Sequence, residues 1–281
     1  MRLTPRDHDR SSAGLKYIYP VVSRRAAGVS IGINLNPNNA CNWRCVYCQV
    51  PGLTFGKPPD TDLEQLEREL ISMLTDVFEG DFMERCVPAE ARRVNDLAFS
   101  GNGEPTSSPQ FAEAVAVVGR ALARFDVPDT LKTVLISNGS LIHQASVQEG
   151  LRRLAALNGE VWYKLDSATS SGQQRINSNG AGPERARSNL ILAAGLCPTW
   201  VQTMVMDWDG CTLAGAEREA YLTLLASLVG EPKPPRGVLL YGLARTSHQP
   251  EAADLAATDP RHLQDLAHAI EELGLAVKVT P

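Results

Sequence analysis

Strand-like and helical segments alternate along most of this chain, and the alternation is the strongest constraint on its fold. Residues 29–36 alternate apolar and polar side chains with a period of two, and residues 60–78 repeat apolar side chains at helical spacing. Further strand-like segments occupy residues 94–100, 131–138, 161–167, 199–206 and 236–243, and further helical patterns occupy residues 109–125, 143–157, 183–195, 214–229 and 260–273. Strict alternation predicts an α/β fold with a parallel sheet and right-handed crossovers. The six strand and helix pairs are too few for a closed eightfold barrel, which leaves an open partial barrel or a doubly wound sheet.

The two ends of the chain fall outside this alternation. Residues 1–28 are polar and show no sustained period apart from a short run at residues 16–22, so we predict an N-terminal extension followed by one domain over residues 29–281. A short apolar run at residues 275–280 predicts a final edge strand. On the first strand, one face carries only small polar residues and glycine, at Ser30, Gly32, Asn34 and Asn36. Such a face predicts a barrel lumen reserved for a polar ligand.

The composition excludes several classes of protein. The chain has 281 residues, 43% of them hydrophobic and 21% charged, and is long enough to bury a large core. It has no apolar run of membrane-spanning length, and its charged start lacks a signal-peptide core, so we predict a cytoplasmic protein without a membrane segment. The net charge of -5 argues against a large nucleic-acid-binding surface.

Three cysteines crowd the segment that follows the first strand, at Cys41, Cys45 and Cys48, with the spacing C-x3-C-x2-C. No fourth ligand stands nearby in sequence, because the next cysteine is Cys86 and the next histidine is His143. A structural zinc site closes its shell with four protein ligands, whereas three thiolates leave one iron of a [4Fe-4S] cluster open. We therefore predict an open iron-sulfur site, with two alternatives: a zinc site completed by a distant ligand, or three unrelated thiols.

The remaining cysteines, Cys86, Cys197 and Cys211, are scattered along the chain. A second cluster would show its own close spacing, so we predict a single cluster and buried roles for these three thiols.

The cysteine segment resembles the signature of the radical S-adenosylmethionine (SAM) enzymes, C-x3-C-x-aromatic-C, with Tyr47 at the aromatic position. The resemblance implies a (β/α)6 partial TIM-like barrel. It also implies that Cys41, Cys45 and Cys48 bind a [4Fe-4S] cluster whose open iron chelates SAM, while Tyr47 packs near adenine. An electron from a donor such as flavodoxin or ferredoxin would then cleave SAM and release a 5'-deoxyadenosyl radical.

A second motif, Gly101-Asn102-Gly103-Glu104, follows the strand-like segment at 94–100. Two glycines two residues apart allow the backbone to approach a ligand closely, although a tight strand-to-helix turn uses the same residues. The motif resembles the Gly-Gly-Glu segment that binds the SAM methionine group in this family, with Asn102 in place of the second consecutive glycine.

Ser137 and Asn138 end the next strand-like segment. They suit hydrogen bonds to the ribose or carboxylate of SAM, and the alternative is an Asn-Gly turn. In the segment at 161–167, Lys164 and Asp166 are two apart and project from one face. Buried charges are costly unless they are paired or used, so we predict catalytic or cofactor-binding roles for both, with a structural salt bridge as the alternative.

The last two strand-like segments supply further candidates. We predict that Gln202 faces the cofactor, and that Met204 and Met206, which share its parity, fill the core. Arg245 and His248, just past the last strand, are candidate substrate contacts at the barrel mouth, with a solvated loop as the alternative.

These patterns predict a radical SAM enzyme whose substrate the sequence does not identify. The segment Lys164-Leu165-Asp166 resembles a strand of the wyosine-type tRNA-modifying branch, which favours a modified tRNA base. The alternative enzyme is an activating enzyme that places a glycyl radical on a partner protein. A non-catalytic iron-sulfur redox or sensor protein is the alternative from another class.

Overall fold

The computed structural model describes residues 2–4, 10, 13–23, 28–210, 212–213 and 215–281. The strands in chain order are β1 (Ile18–Ser23), β2 (Gly28–Ile33), β3 (Ala40–Cys41), β4 (Thr54–Phe55), β5 (Val94–Phe99), β6 (Lys132–Ser137), β7 (Gly159–Lys164), β8 (Thr199–Trp208), β9 (Gly237–Gly242), β10 (Leu255–Ala257) and β11 (Ala276–Thr280). The α-helices are α1 (Leu63–Phe78), α2 (Phe82–Cys86), α3 (Phe111–Leu122), α4 (Ala145–Ala156), α5 (Ser170–Asn177), α6 (Pro183–Leu196), α7 (Gly215–Val229) and α8 (Pro260–Glu272). Short 3-10 helices occupy Ala89–Ala91, Pro105–Ser107 and Pro250–Asp254.

The predicted alternation of strands and helices is confirmed. A strand overlaps each of the six strand-like segments, a helix overlaps each predicted helical pattern, and the final strand predicted at 275–280 is β11. Apolar periodicity identified these elements because each buries an apolar face. The elements that it missed include β1, the three-residue strand β10 and the mostly polar helix α5.

The chain divides into two compact units, of which the first contains residues 1–41, 56–136 and 144–160. Its strands lie in the order β1, β2, β5, β6. Strands β2, β5 and β6 run parallel, and β1 runs antiparallel to β2. Strand β1 lies within the predicted N-terminal extension, so residues on both sides of position 28 contribute to one sheet.

The polar face of β2 is occupied by protein, so the prediction of a ligand lumen along this face is wrong. The Ser30 hydroxyl donates a hydrogen bond to the Asp96 carboxylate of β5. The Tyr19 ring covers Gly32, its partner across the β1–β2 pair, and the Tyr19 hydroxyl lies 2.8 Å from the Ser100 hydroxyl. The small residues of this face therefore make room for neighbouring side chains.

The second unit contains residues 42–55, 137–143 and 161–281. Its parallel strands lie in the order β7, β8, β9, β11, and β10 pairs antiparallel with β8. Helix α5 begins at the cap residue Thr169, whose hydroxyl accepts a hydrogen bond from the Gly172 amide at 2.9 Å. No helix within the described ranges is long and apolar enough to cross a membrane.

The contact between Tyr19 and Gly32 predicts that a methyl group added at Gly32 lowers the stability of the protein. A Cβ at Gly32 would lie 2.1 Å from the buried Tyr19 ring, so Gly32→Ala should lower the free energy of unfolding by about 1–3 kcal/mol, as overpacked cores do. Urea unfolding measures the change. Gly195→Ala is the matched control, because no atom lies within 4 Å of its added Cβ in α6, and it should leave stability unchanged or raise it by about 0.5–1 kcal/mol. Equal stability of Gly32→Ala and the native protein would contradict the packing.

Candidate active site

The candidate site is built around the cysteine loop, residues 41–48. Cys41, Cys45 and Cys48 are each partly exposed, and no disulfide joins any cysteine among the described residues. The Cys48 amide donates to the Cys45 carbonyl at 2.9 Å, which turns the chain between the second and third thiols. The three thiols of this loop are therefore free of disulfides and partly accessible.

Asparagine side chains shape the backbone that leads into Cys41, all within the first unit. The Asn34 Oδ1 accepts hydrogen bonds from the amides of Asn36 at 3.0 Å and Asn102 at 3.1 Å. The Asn36 Nδ2 donates to the Ala40 carbonyl at 3.0 Å, and Asn102 Nδ2 donates to Asn39 Oδ1 at 2.7 Å. Asn39 adopts a left-handed conformation, with φ of 57°, which asparagine tolerates better than most residues. The asparagines therefore bond to the protein itself and set the path of the chain before the first cysteine.

The Gly101–Glu104 motif lies against the same segment. Gly101 has φ of 139°, and a Cβ at Gly103 would lie 2.0 Å from the Ala40 carbonyl oxygen. Glu104 is buried, and its Oε1 accepts from the amide and the hydroxyl of Thr106, at 3.1 and 2.6 Å. The two glycines make room for the Asn34 side chain and the Ala40 carbonyl of the protein itself, and Glu104 caps the following 3-10 helix. Close approach of this backbone to a ligand stays a prediction.

The end of β6 is joined to the cysteine loop by a pair of asparagines in the second unit. Asn138 Nδ2 donates to Asn42 Oδ1 at 2.8 Å, and Asn42 Nδ2 donates to the Ser140 hydroxyl at 2.8 Å. Asn138 Oδ1 accepts from the Ser140 amide at 3.0 Å, and the Ser137 hydroxyl accepts from the Gly139 amide at 2.9 Å. Ser137 and Asn138, predicted as SAM contacts, therefore also fix the turn beside Asn42.

Asp166 lies in the second unit, and its side chain is fully buried. Its Oδ2 accepts hydrogen bonds from the Tyr47 hydroxyl and, at 2.8 Å, from Asn177 Nδ2. Its Oδ1 accepts from the Met204 amide at 3.0 Å and lies 3.7 Å from Lys164 Nζ. The predicted common face of Lys164 and Asp166 is therefore present as an ion pair, and the carboxylate links the cysteine loop to β8.

Lys164 supplies a buried positive charge next to Tyr47. Its Nζ donates to the Tyr47 oxygen at 2.7 Å and to the Tyr241 oxygen at 2.6 Å. Burial opposes the charge of Lys164, yet the Asp166 carboxylate and the Tyr241 oxygen bring its pKa above that of an ordinary lysine. Burial, together with the Asp166 charge, raises the pKa of Tyr47 well above that of an ordinary tyrosine. The site therefore contains a stable ammonium and a neutral phenol that donates to the carboxylate.

Helix α5 ends against the cysteine loop, and the sequence patterns did not identify this contact. The Arg44 amide donates to the Asn177 carbonyl at 3.2 Å, and the Val46 amide donates to the Ile176 carbonyl at 2.9 Å. Asn177 Nδ2 lies 3.3 Å from the sulfur of Cys45. Burial raises the pKa of the Cys45 thiol to about 12, while the charge of Lys164 and the Asn177 hydrogen bond act in the opposite direction.

The segment after β9 also packs on the cysteine loop. The His248 amide donates to the Cys48 carbonyl at 2.8 Å, and the Ser247 hydroxyl donates to the Val46 carbonyl at 2.6 Å. His248 was predicted as a substrate contact, and it is the backbone of this residue that bonds to the loop. Ser247 was missed, because a lone serine after a strand carries no distinctive signal.

Two arginines complete the contacts between this segment and the cysteine loop. Arg245 Nη1 donates to Gln49 Oε1 at 3.4 Å, so this predicted substrate contact lies beside the third cysteine. Arg44 pairs with Glu251 through two parallel hydrogen bonds of 2.7 and 2.8 Å. Such a bidentate pair constrains both side chains more than a single contact does.

Gln202, on β8, presents an unsatisfied polar group. Its side chain is 1% exposed, and within the part of the chain that the structure describes its Nε2 has no hydrogen-bond partner. A buried donor without a partner costs about 1–3 kcal/mol, and a bound ligand could accept this hydrogen bond. Met204 and Met206 lie two and four residues further along β8. They pack with Val46 and Tyr47 in an apolar cluster, which confirms the prediction that the two methionines fill the core.

The other thiols lie away from this loop in sequence. Cys86 and Cys197 are 1% and 2% exposed, which confirms their prediction as buried side chains, and Cys211 lies outside the described residues. The described residues contain no group of three His, Cys, Asp or Glu side chains gathered around one point, as a mononuclear metal requires. A four-iron cluster does not require its thiolates to surround one point, because each of its three thiolates binds a different iron.

Comparison with protein families identifies the class of this protein. The model of the Radical SAM superfamily matches residues 35–209, more than half of the chain and including all three cysteines of the loop. The chain therefore belongs to the radical SAM superfamily, a class of enzymes that use a [4Fe-4S] cluster and SAM as cofactors.

Two of the similar curated proteins are UPF0026 proteins, whose names state no activity. The chain is 28% identical over 160 residues to a UPF0026 protein of Helicobacter pylori, covering 56% of this chain and 44% of that one. It is 31% identical over 158 residues to a UPF0026 protein of Methanocaldococcus jannaschii, covering 56% and 42%. The chain thus matches less than half the length of these relatives.

Solved structures confirm the fold class as a partial TIM-like barrel with a mostly parallel sheet. A radical SAM methyltransferase from Sphaerobacter thermophilus has a TM-score of 0.61 at 12% identity, covering 90% of this chain and 66% of the other. TYW1 with a lysine-pyruvate adduct bound has a TM-score of 0.56 at 15% identity, covering 88% and 74%. SuiB from Streptococcus suis, bound to SAM, has a TM-score of 0.54 at 11% identity, covering 90% and 47%.

The central position of Asp166 predicts a large loss of stability when its charge is removed. Asp166→Asn should lower the free energy of unfolding by about 3 kcal/mol, because Lys164 would lose its buried countercharge. Urea unfolding of the reduced, metal-free protein measures the change. The control Glu149→Gln removes exposed ion pairs to Arg152 and Arg153 and should cost about 1 kcal/mol or less. If the two variants lose the same small amount, Asp166 does not have the stabilising role described.

Proposed function

We propose that this chain forms the catalytic core of a radical SAM enzyme in which Cys41, Cys45 and Cys48 bind the [4Fe-4S] cluster. The observation that carries the proposal is the cysteine loop itself: three thiols at the family spacing, within the residues that the family model matches. Contacts from Asn138, from the end of α5 and from the segment after β9 support it, because they fix a loop that has little regular structure of its own.

The residues around the loop fit such a group chemically. Cys45 has an N–H donor next to its sulfur and a buried ammonium in the same network, both of which stabilise a thiolate. Gln202 has a buried amide with an unused donor, which a polar cofactor would satisfy. The zinc alternative has no fourth ligand near the loop in sequence and requires a distant one.

We assign SAM binding to three groups of residues. Gly101, Asn102, Gly103 and Glu104 would bind the methionine part, as the family motif implies, while Ser137 and Asn138 would bind the ribose or carboxylate. Gln202 would donate its free amide hydrogen to the same molecule.

We assign Lys164, Asp166 and Arg245 to positioning. Both oxygens of Asp166 already accept protein hydrogen bonds, and Arg245 donates to Gln49. In this assignment Lys164 and Asp166 fix the orientation of Tyr47, whose ring would lie beside the adenine.

When bound, the cluster would supply the electron that cleaves a carbon-sulfur bond of SAM. The contribution of the chain is to orient SAM against the open iron and to exclude water. The electron would come from an external donor, a flavodoxin or a ferredoxin.

The ligand assignment predicts both a metal content and a loss of activity. Protein purified and reconstituted without oxygen should contain about four iron per chain and, after reduction, convert SAM to 5'-deoxyadenosine. Cys41→Ala, Cys45→Ala and Cys48→Ala should each abolish this conversion, whereas Cys86→Ala and Cys197→Ala should keep it. Iron analysis and chromatography of 5'-deoxyadenosine test the assignment. Zinc in place of iron, or robust cleavage by a loop variant, would overturn it.

For the substrate we propose a modified tRNA base. The support is the segment Lys164-Leu165-Asp166, which resembles the corresponding strand of wyosine-type enzymes. The net charge of -5 does not favour a large nucleic-acid surface, so this part of the proposal depends on the motif alone. The competing substrate is a glycine of a partner protein, as in glycyl-radical activating enzymes.

Deuterium transfer separates the two substrates. The reconstituted protein should incorporate deuterium into 5'-deoxyadenosine when it is given tRNA from cells grown in heavy water, because the substrate hydrogen is abstracted. The Cys48→Ala variant is the control for cofactor-independent exchange. Deuterium arriving only from protein extracts labelled with deuterated glycine would replace the tRNA proposal by the activating-enzyme alternative.

A further inference from the structure

The side chain of Asn177 makes two contacts with one nitrogen atom. It is 1% exposed at the end of α5, and its Nδ2 lies 2.8 Å from Asp166 Oδ2 and 3.3 Å from the sulfur of Cys45. An amide nitrogen carries two hydrogens, so it can donate one to the carboxylate and the other to the sulfur.

The orientation of this amide follows from its neighbour. An ionised carboxylate only accepts hydrogen bonds, so the nitrogen of Asn177, and not its oxygen, must face Asp166. The same orientation turns the second hydrogen toward Cys45. Backbone hydrogen bonds from Arg44 and Val46 to the carbonyls of Asn177 and Ile176 keep the helix end in register with the cysteine loop.

We propose that Asn177 is a positioning residue that raises the reduction potential of the cluster by donating an N–H hydrogen bond to the Cys45 sulfur. The proposal rests on the proposed function, because it takes Cys45 as a cluster ligand. Reduction adds an electron to the cluster and increases the negative charge on its thiolates. A donor at the sulfur therefore stabilises the reduced state more than the oxidised state.

The surrounding charges act in both directions, because the Lys164 ammonium favours the reduced cluster and the Asp166 carboxylate disfavours it. Asp166 fixes the donor, while Lys164, bonded to Tyr47 and Tyr241, places a positive charge in the same buried network. Buried charges act more strongly than exposed ones because water screens them less.

The experiment compares two asparagine variants of the same segment. Asn177→Leu removes the donor with little change in volume, while Asn179→Leu removes a second buried amide, whose side chain bonds to Gln173 and the Ala181 amide. Both variants are reconstituted with iron and sulfide and titrated by electron paramagnetic resonance. Asn177→Leu should lower the reduction equilibrium constant roughly three- to tenfold, which for one electron corresponds to about 30–60 mV. Asn179→Leu should leave the potential at the native value.

A second measurement distinguishes an effect of Asn177 on the reduction potential of the cluster from an effect on the structure of the protein. With a strong reductant such as titanium(III) citrate, Asn177→Leu should cleave SAM at close to the native rate, and it should lose more activity than the native protein when dithionite is used. A variant that is merely misfolded would be slow with both reductants. An unchanged potential, or the same shift in both asparagine variants, overturns the proposal.

The native protein allows the same test without any substitution. Labelling asparagine with ¹⁵N at the side-chain amide should produce a nitrogen coupling in pulsed electron paramagnetic resonance of the reduced cluster. The absence of this coupling overturns the proposal even if Asn177→Leu cannot be reconstituted. These outcomes are separate from the ligand assignment: native protein without a four-iron cluster refutes the proposed function, whereas a cluster of unaltered potential refutes only the role of Asn177.

Discussion

The second unit of this protein depends on the buried carboxylate of Asp166. This group accepts hydrogen bonds from a tyrosine of the cysteine loop, an asparagine of α5 and a backbone amide of β8, and it pairs with Lys164. A buried charge is costly in isolation and becomes tolerable only when nearly all of its bonding capacity is used. The carboxylate therefore selects one arrangement of the three elements that donate to it, and the cysteine loop takes its place within that arrangement.

The loop itself has little regular structure, so its geometry comes from its neighbours. Asn42 is bonded to the turn after β6, Val46 and Arg44 to the end of α5, and Cys48 to the segment after β9. Backbone groups that cannot pair within a helix or sheet must find other partners when they are buried. Here the partners come from the ends of several strands and helices, which is where barrel enzymes place their functional residues. A rigid loop of this kind can bind a cofactor with little ordering cost.

Sequence patterns predicted the main strands and helices because each carries an apolar face at a regular period. They failed for β1, where Pro20 interrupts a short run, and for α5, whose residues are mostly polar. The prediction of a polar lumen along β2 was wrong for a different reason. Small side chains leave space beside a strand, and either a ligand or another side chain can fill that space. The periodicity of the sequence does not distinguish a ligand from the ring of Tyr19, which fills the space at Gly32.

The sequence by itself indicated the family, which the family model confirms, and it placed three thiols in one short loop. Three thiols within eight residues are a local feature, and so is the glycine pair that allows close backbone approach. Only the tertiary structure decided which side chains support the loop. Tyr47 meets Asp166 across 119 positions, and Cys45 meets Asn177 across 132. Such contacts depend on how strand ends and helix ends converge in space, and no local pattern of polarity or spacing specifies the partner of a single polar side chain.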